Sequence, residues 1–303
     1  MISTLPEVRV GDAIRHQSLA VFPLFSPLGE EVAYVLSDEA IGAGMVTVEE
    51  IGESGSVPTL LVNNTGDSRV LFLEGEELRG AKQNRVLNTS VLIAAHSKTT
   101  IPVSCVEQGR WRYRSREFSS GDSHSSSKLR HYLKASVSES LKEGRGHTSD
   151  QGAVWREVNR QMESLGSASE THAMADTYES YRKQREEFQA RVQYVEGATG
   201  VAVAVGPKVV AVDVFDKPAT CRKVWDRLLS GVVMDALEEQ EAGTTAEAAD
   251  VEALLARLRQ AAWEPAPAVG EGQEFRSDTV PLAHASSLVF DSTVLHGSVV
   301  VMG

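Results

Sequence analysis

Residues 200–215, GVAVAVGPKVVAVDVF, constrain this chain more than any other stretch. Two runs, 200–205 and 209–215, are apolar at nearly every position and are separated by Gly206-Pro207-Lys208. A strand with one wet face alternates apolar and polar side chains. A strand that is apolar on both sides has to be covered on both, so this stretch reads as a hairpin at the centre of a sheet. The remaining sequence must supply strands beside it and helices over it.

The flanking segments do so in separate blocks. Strand-like runs fall at 17–25, 45–51, 59–62, 69–73, 86–93 and 101–106, with a short helix over 37–44 and a strong turn at Asn63-Asn64-Thr65-Gly66-Asp67. Pro23 confines the first run to an edge or a bulge, because it has no N–H to give. Residues 115–127, SREFSSGDSHSSS, are polar and nearly free of aliphatic side chains, which predicts an exposed loop or flap. Helices are expected over 127–141, 150–165 and 171–192, where apolar residues recur every three or four positions. After the hairpin, a helix starts near Asp216-Lys217-Pro218 with a broad apolar face from Val224 to Leu237, and another covers 245–262. Short strands at 271–276, 285–291 and 293–301 close the chain.

Such segregated runs predict an α+β fold, a mostly antiparallel β-sheet unit with a segregated set of amphipathic helices, and not a doubly wound parallel sheet. Strands from both ends sharing one sheet would make 1–303 a single domain. Its parts would be a β-rich region 1–113, a helical insertion 127–193, the hairpin plus helices 200–262, and C-terminal strands 271–303.

Composition excludes several classes of function. A formal net charge of −12 argues against a general nucleic-acid or anionic-membrane binder, which needs a surplus of Lys and Arg; a local basic patch is compatible with it. Cys105 and Cys221 are too few for a disulfide framework or a Cys-rich zinc site. The opening MISTLPEVRVGDAIRHQ has no basic start followed by an apolar run, and no apolar segment approaches the roughly 20 residues that span a bilayer, so a cytoplasmic location is expected.

Reactive side chains concentrate in residues 69–112. Glu74, Glu76 and Glu77 sit at a strand end beside Gly75, and alternation would put Glu74 and Glu76 on one face. Paired carboxylates can do general acid/base work or hold a divalent cation; the ordinary reading of EGEE is a solvated charged turn. Lys82, Gln83, Asn84 and Arg85 follow at once, as partners for the glutamates or as a cradle for an anion. Cys105 and Glu107 share a strand face, with Arg110 and Trp111 just beyond; Cys105 is a nucleophile if a neighbouring charge activates it, and a small buried hydrophobe otherwise. The candidate catalytic residues are therefore Glu74, Glu76, Cys105 and Glu107, and the candidate ligand-binding residues are Lys82, Gln83, Asn84, Arg85, Arg110 and Trp111. No P-loop, dinucleotide fingerprint or HExxH pair is present, and no metal site or cofactor is assigned.

Three of these segments, EGEELRGAKQNR (74–85), CVEQGRW (105–111) and AVDVFDKP (211–218) before a Trp-bearing helix, resemble the ARG and rhodanese-phosphatase-superfamily-associated protein domain. The resemblance covers most of the chain. It implies a role near ADP-ribose or NAD-derived metabolites and an association with proteins of the ADP-ribosylglycohydrolase pathway, and it brings no catalytic residues with it. The leading expectation is a pocket that binds or processes an ADP-ribose-like nucleotide, with Lys82, Arg85 and Arg110 on the pyrophosphate and the 115–127 loop closing over it. The alternative is a non-catalytic interaction or scaffold domain, in which the stripe of the 171–192 helix docks a partner or a second copy.

Overall fold

The computed structural model describes residues 4–27, 29, 31–52, 55–239 and 243–302; positions 1–3 and 303 of the expected range lie outside them. Among the described residues the strands form three sheets, and every strand pairing but one is antiparallel. The α+β class is as expected.

The hairpin Gly200–Val205 and Lys208–Phe215 lies inside a nine-stranded sheet. On one side Leu19–Phe25 pairs with Gly200–Val205. On the other, Lys208–Phe215 is followed in order by Thr293–Val301, Ala283–Phe290, Gln273–Ser277 and the edge strand Glu264–Ala266. N-terminal and C-terminal strands thus share a sheet. Leu19–Phe25 is interior, so of the two places expected for Pro23, an edge or a bulge, the edge is ruled out. On its far side its partner changes from Ile14–His16 to Arg9–Val10, and Pro23 falls in the gap between the two.

Both faces of this sheet are covered, as the doubly apolar hairpin requires. On one face the helix Pro218–Glu238 buries Val224, Trp225, Leu228, Leu229, Val232 and Val233 against Val201, Val203 and Phe215. Pro218 occupies its first turn, where a missing N–H costs nothing, so the helix begins there and not at Asp216. On the other face Val251, Leu254, Leu255 and Leu258 of Ala248–Gln260 cover Ala202, Ala204, Val212 and Val214. Each such large side chain contributes roughly 1.5–3 kcal/mol on burial.

The N-terminal region forms a six-stranded sheet in the order Phe118–His124, Glu76–Gly80, Arg85–Leu87, Ser97–Cys105, Thr59–Asn64, Val46–Glu50, beside a three-stranded sheet of Val91–Ile93, Val70–Phe72 and Val35–Leu36. The expected strand 86–93 is therefore two strands in two sheets, divided by Asn88-Thr89-Ser90. The Ser-rich stretch is corrected as well. Phe118–His124 is a paired strand, and Ser123, His124, Ser125 and Ser126 are buried. Its small side chains let the long helix approach: a Cβ on Gly231 would lie 2.2 Å from the Ser125 carbonyl oxygen.

The expected helix 171–192 is two, Met174–Ser180 and Arg182–Arg191, broken at Tyr181. Its apolar stripe is spent inside the molecule, Met174 and Tyr178 against Leu129 and Val158, Phe188 and Val192 against Trp225. It is not available to dock a partner, because the chain itself covers it. No helix among the described residues is long and apolar enough to cross a membrane.

Candidate functional site

The carboxylates of EGEE do not form a solvated turn. Glu74, Glu76 and Glu77 are all buried, and the residues singled out in the sequence separate into three places.

Glu74 enters a polar row that crosses the large sheet. Asp213, Ser298, Ser286 and Arg276 are register partners on four adjacent strands. Over them lies the helix Ser127–Lys142, whose Arg130, Lys134 and Ser138 recur one turn apart. Arg130 grips Asp213 with both terminal nitrogens, at 2.9 and 2.6 Å, and donates to Ser298 at 2.6 Å. Lys134 donates to Glu74 and Ser286, and Glu74 also accepts from Ser286 and Ser298 at 3.1 Å. His296 joins Asp213 at 3.1 Å to Ser90 at 2.7 Å. Burial alone would raise the Glu74 carboxyl, but the charges of Lys134 and Arg130 outweigh it and hold it down at about 2. Nearly every polar atom here is satisfied inside the protein. The arrangement joins the N-terminal strands to the large sheet.

Cys105, Glu107 and Arg110 converge with Gln83, Asn84 and Arg85. Glu107 takes two bonds from Arg110, at 2.7 and 2.6 Å, and others from the Asn84 N–H at 3.0 Å and Thr171 at 3.1 Å. Arg110 also reaches the carbonyls of Ala81 and Arg112 at 2.7 and 2.9 Å, and Gln83 donates to the Glu107 carbonyl at 2.9 Å. Cys105 is buried, burial pushes its thiol up, and it donates to the Glu107 carbonyl at 3.3 Å. Arg85 donates to the Gln83 carbonyl at 3.0 Å and lies 3.6 Å from Glu50. Lys82 and Arg85 sit under the exposed ring of Trp111, at 5.2 and 5.7 Å from its centroid.

Glu76 goes elsewhere. Gly75, at φ +77°, turns the chain between it and Glu74, so alternation does not carry across and the two carboxylates face different partners. Glu76 and Glu77 back onto an open cleft of about 420 Å³ at the junction of the six-stranded sheet with the helices Arg182–Arg191 and Pro218–Glu238. The pairing of Phe118–His124 with Glu76–Gly80 is irregular between Ser120 and His124, and Gly121, Asp122 and Ser123 line the cleft. Arg79, Arg182, Arg185, Lys223 and Arg227 supply its positive charge, and Asp38, Asp122, Glu179, Glu186 and Asp226 its negative charge.

Most of these cations are engaged: Arg79 with Glu77 at 2.7 Å and Ser123 at 3.2 Å, Arg182 with Glu179 at 2.6 Å, Lys223 with Glu39. Arg227 is different. It is only 9% exposed, its nearest carboxylates, on Asp38 and Glu76, stand 3.6 Å away, and none of its three guanidinium nitrogens has a hydrogen-bond partner among the described residues. Arg185 donates one bond to the Tyr178 carbonyl at 3.2 Å and likewise has an unpartnered Nε. Burial raises the carboxyls of Glu76 and Glu77, with Arg227 opposing it at the first and Arg79 at the second.

Of the candidate catalytic and ligand-binding residues named from sequence only Glu76 backs onto the cleft, beside Glu77, and from the Ser-rich stretch Ser120, Gly121, Asp122 and Ser123 line it. Arg182, Arg185, Lys223 and Arg227 were missed. A signal was present: Arg227 interrupts VWDRLLSGVVM at a position that helical spacing assigns to the buried face, and Arg130 and Lys134 are interleaved with Leu129 and Leu133 in the same way.

Fold and cleft together define an α+β protein of mostly antiparallel sheets with an arginine-rich cleft where sheet and helices meet. The model of the ARG and Rhodanese-Phosphatase-superfamily-associated Protein domain matches residues 7–300, and the chain belongs to that family. No curated protein and no solved structure matches it.

Proposed function

We propose that this chain binds a small phosphorylated metabolite of the ADP-ribose or NAD kind in the Arg227 cleft. The observation that carries the reading is Arg227 itself. A buried guanidinium without hydrogen bonds is costly, and an anionic oxygen in the cleft would satisfy it and Arg185 together, with Arg79 and Lys223 adding charge. The volume suits a ligand of nucleotide size. Among the described residues no aromatic side chain lines the cleft, so recognition rests on phosphate and ribose: Ser120 and Ser123 offer hydroxyls, and Asp38, Asp122 and Asp226 can accept from sugar hydroxyls. Glu76, 3.6 Å behind Arg227, would orient that guanidinium toward the bound ligand. The ARG of the family's name, read as ADP-ribosylglycohydrolase, supports the same substrate class and partners from that pathway.

Titration calorimetry tests this with ADP-ribose, NAD, ribose 5-phosphate and inorganic phosphate. Saturable binding of at least ADP-ribose is expected. Arg227→Gln should weaken it about 10-fold to 100-fold, the worth of charged hydrogen bonds of roughly 1.5–3 kcal/mol. Absence of heat with all four compounds, from protein that is folded by circular dichroism, refutes the reading.

A further inference from the structure

Residues 110–117 read RWRYRSRE, four arginines to one glutamate in a chain of net charge −12. After the buried Arg110, residues 111–117 are all exposed, and Trp111 and Tyr113, at 47% and 51%, are among the few large apolar side chains that face solvent. We propose that this segment is a docking surface for single-stranded nucleic acid.

Three observations carry it. The first is preorganisation. The backbone is pinned from below, with Arg110 Nη1 donating to the Arg112 carbonyl at 2.9 Å, the Arg114 N–H to the Ala81 carbonyl at 2.9 Å, and the Ala81 N–H to Ser115 Oγ at 2.9 Å. The saturated Glu107–Arg110 pair thereby acquires a purpose: it holds an exposed strip in one conformation.

The second is the placement of the rings. Lys82 Nζ lies 5.2 Å from the Trp111 centroid and 5.0 Å from that of Tyr113, so one ammonium anchors two rings that are two residues apart. Trp111 and Tyr113 are each about half exposed, and a base of any sequence can stack on exposed ring surface. Arg112, Arg114 and Arg116 alternate with them and can meet phosphates; among the described residues the nearby carboxylates are Glu49, 3.8 Å from Arg116, Glu117 at the end of the strip, Glu50, buried beside Arg85, and Asp176 and Glu179 in the groove beyond Arg114. At physiological salt, charges beyond about 8 Å are largely screened, so an approaching strand meets this patch and not the acidic whole.

The third is continuity. Arg114 and Ser115 line a groove of about 320 Å³ together with Arg79 and Glu179, and these last two also line the cleft. A strand lying on the rings is led toward the cleft. The surface itself does not depend on what the cleft binds.

The test is fluorescence anisotropy with short fluorescein-labelled oligo(dT) and oligo(rA), titrated with the full chain over a range of salt. Wild type is expected to bind both. Trp111→Ala/Tyr113→Ala should weaken binding about 10-fold or more, at the stacking energy of two bases. Arg112→Gln/Arg114→Gln/Arg116→Gln should reduce the slope of log affinity against log salt by about 2, at roughly 0.7 per phosphate for single strands. All five positions are exposed, and unchanged thermal melting confirms that the variants fold. No anisotropy change at low salt with wild type overturns the proposal. So does undiminished binding by the aromatic variant, or displacement by polyglutamate as effective as by unlabelled oligonucleotide, which would mark an acidic-peptide surface. Because the aromatic variant keeps Arg185 and Arg227, its mononucleotide calorimetry separates failure here from failure of the cleft reading.

Discussion

Arg110 and Arg227 are both buried arginines beside carboxylates, and the contrast between them is chemical. Arg110 spreads its donors over the carboxylate of Glu107, two backbone carbonyls at close range and the side chain of Asn84. Arg227 has no hydrogen bond among the described residues. Residue identity could not tell them apart, since both arise in stretches with neighbouring acids. Glu74 belongs with the saturated group. Glu74→Gln should leave Lys134 and part of Arg130 uncompensated in the interior and lower stability by about 3–5 kcal/mol, measured by urea unfolding. The pH dependence follows from the same network. Glu74, held at about 2, and Asp213, also held below its usual range by Arg130, stabilise the fold above their unfolded values near pH 4 and lose that contribution as pH falls through the folded ones. Buried groups of two kinds oppose each other at higher pH. His124 and His131, pushed down by burial to about 3 and about 4, cost stability as pH drops below their ordinary 6.5, and Asp235, pushed up to about 7 by burial, returns stability over nearly the same interval, as do Glu76 and Glu77, which burial also raises. Urea midpoints should therefore change little between pH 7 and about 5 and fall steeply below about 4.5, less steeply in Glu74→Gln. The sequence pointed to Glu74, Glu76, Cys105 and Glu107 because acids and a thiol cluster there; it could not separate them, because the turn at Gly75 and the bonds of Arg130 and Arg110 join residues far apart in the chain.

Among the elements, those built from aliphatic residues were the legible ones. The hairpin 200–215 and the helix Pro218–Glu238 bury Val, Leu and Trp at the spacing of their own periodicity. Phe118–His124 was not legible, because Ser and Gly make its interior contacts and these residues usually mark loops. Close approach of backbone, and not apolar area, is what places it. Gly231→Ala tests this directly. Helix propensity alone favours alanine by roughly 1 kcal/mol, yet the added methyl would meet the Ser125 and His124 carbonyl oxygens at 2.2 and 2.5 Å. A net loss of about 1–3 kcal/mol, seen as a lower thermal midpoint, is expected from overpacking. In the same way the 171–192 stripe is amphipathic as its period predicts, and what covers it is the core and not a partner, since periodicity shows that a face is covered without showing by what.

For the whole molecule, the nine-stranded sheet takes strands from both ends of the chain, and the Glu74–Arg130–Asp213 contacts tie the smaller sheets to it. We propose on this basis that 1–303 unfolds as one cooperative unit. Tryptophan fluorescence and far-ultraviolet circular dichroism should give coincident urea transitions; two separated transitions would divide the chain into independent parts. That sheet also sets an order of events during synthesis. Leu19–Phe25, with the sequence LAVFPLF, gains its inner partner only when Gly200–Val205 has left the ribosome. At about 5–20 residues per second, the interval is on the order of 10–40 s, during which an apolar strand has one bare hydrogen-bonding edge. A nascent chain of this protein is thus a ready client for a holding chaperone, and a slow codon between the two strands would lengthen its exposure without altering a single contact in the finished fold.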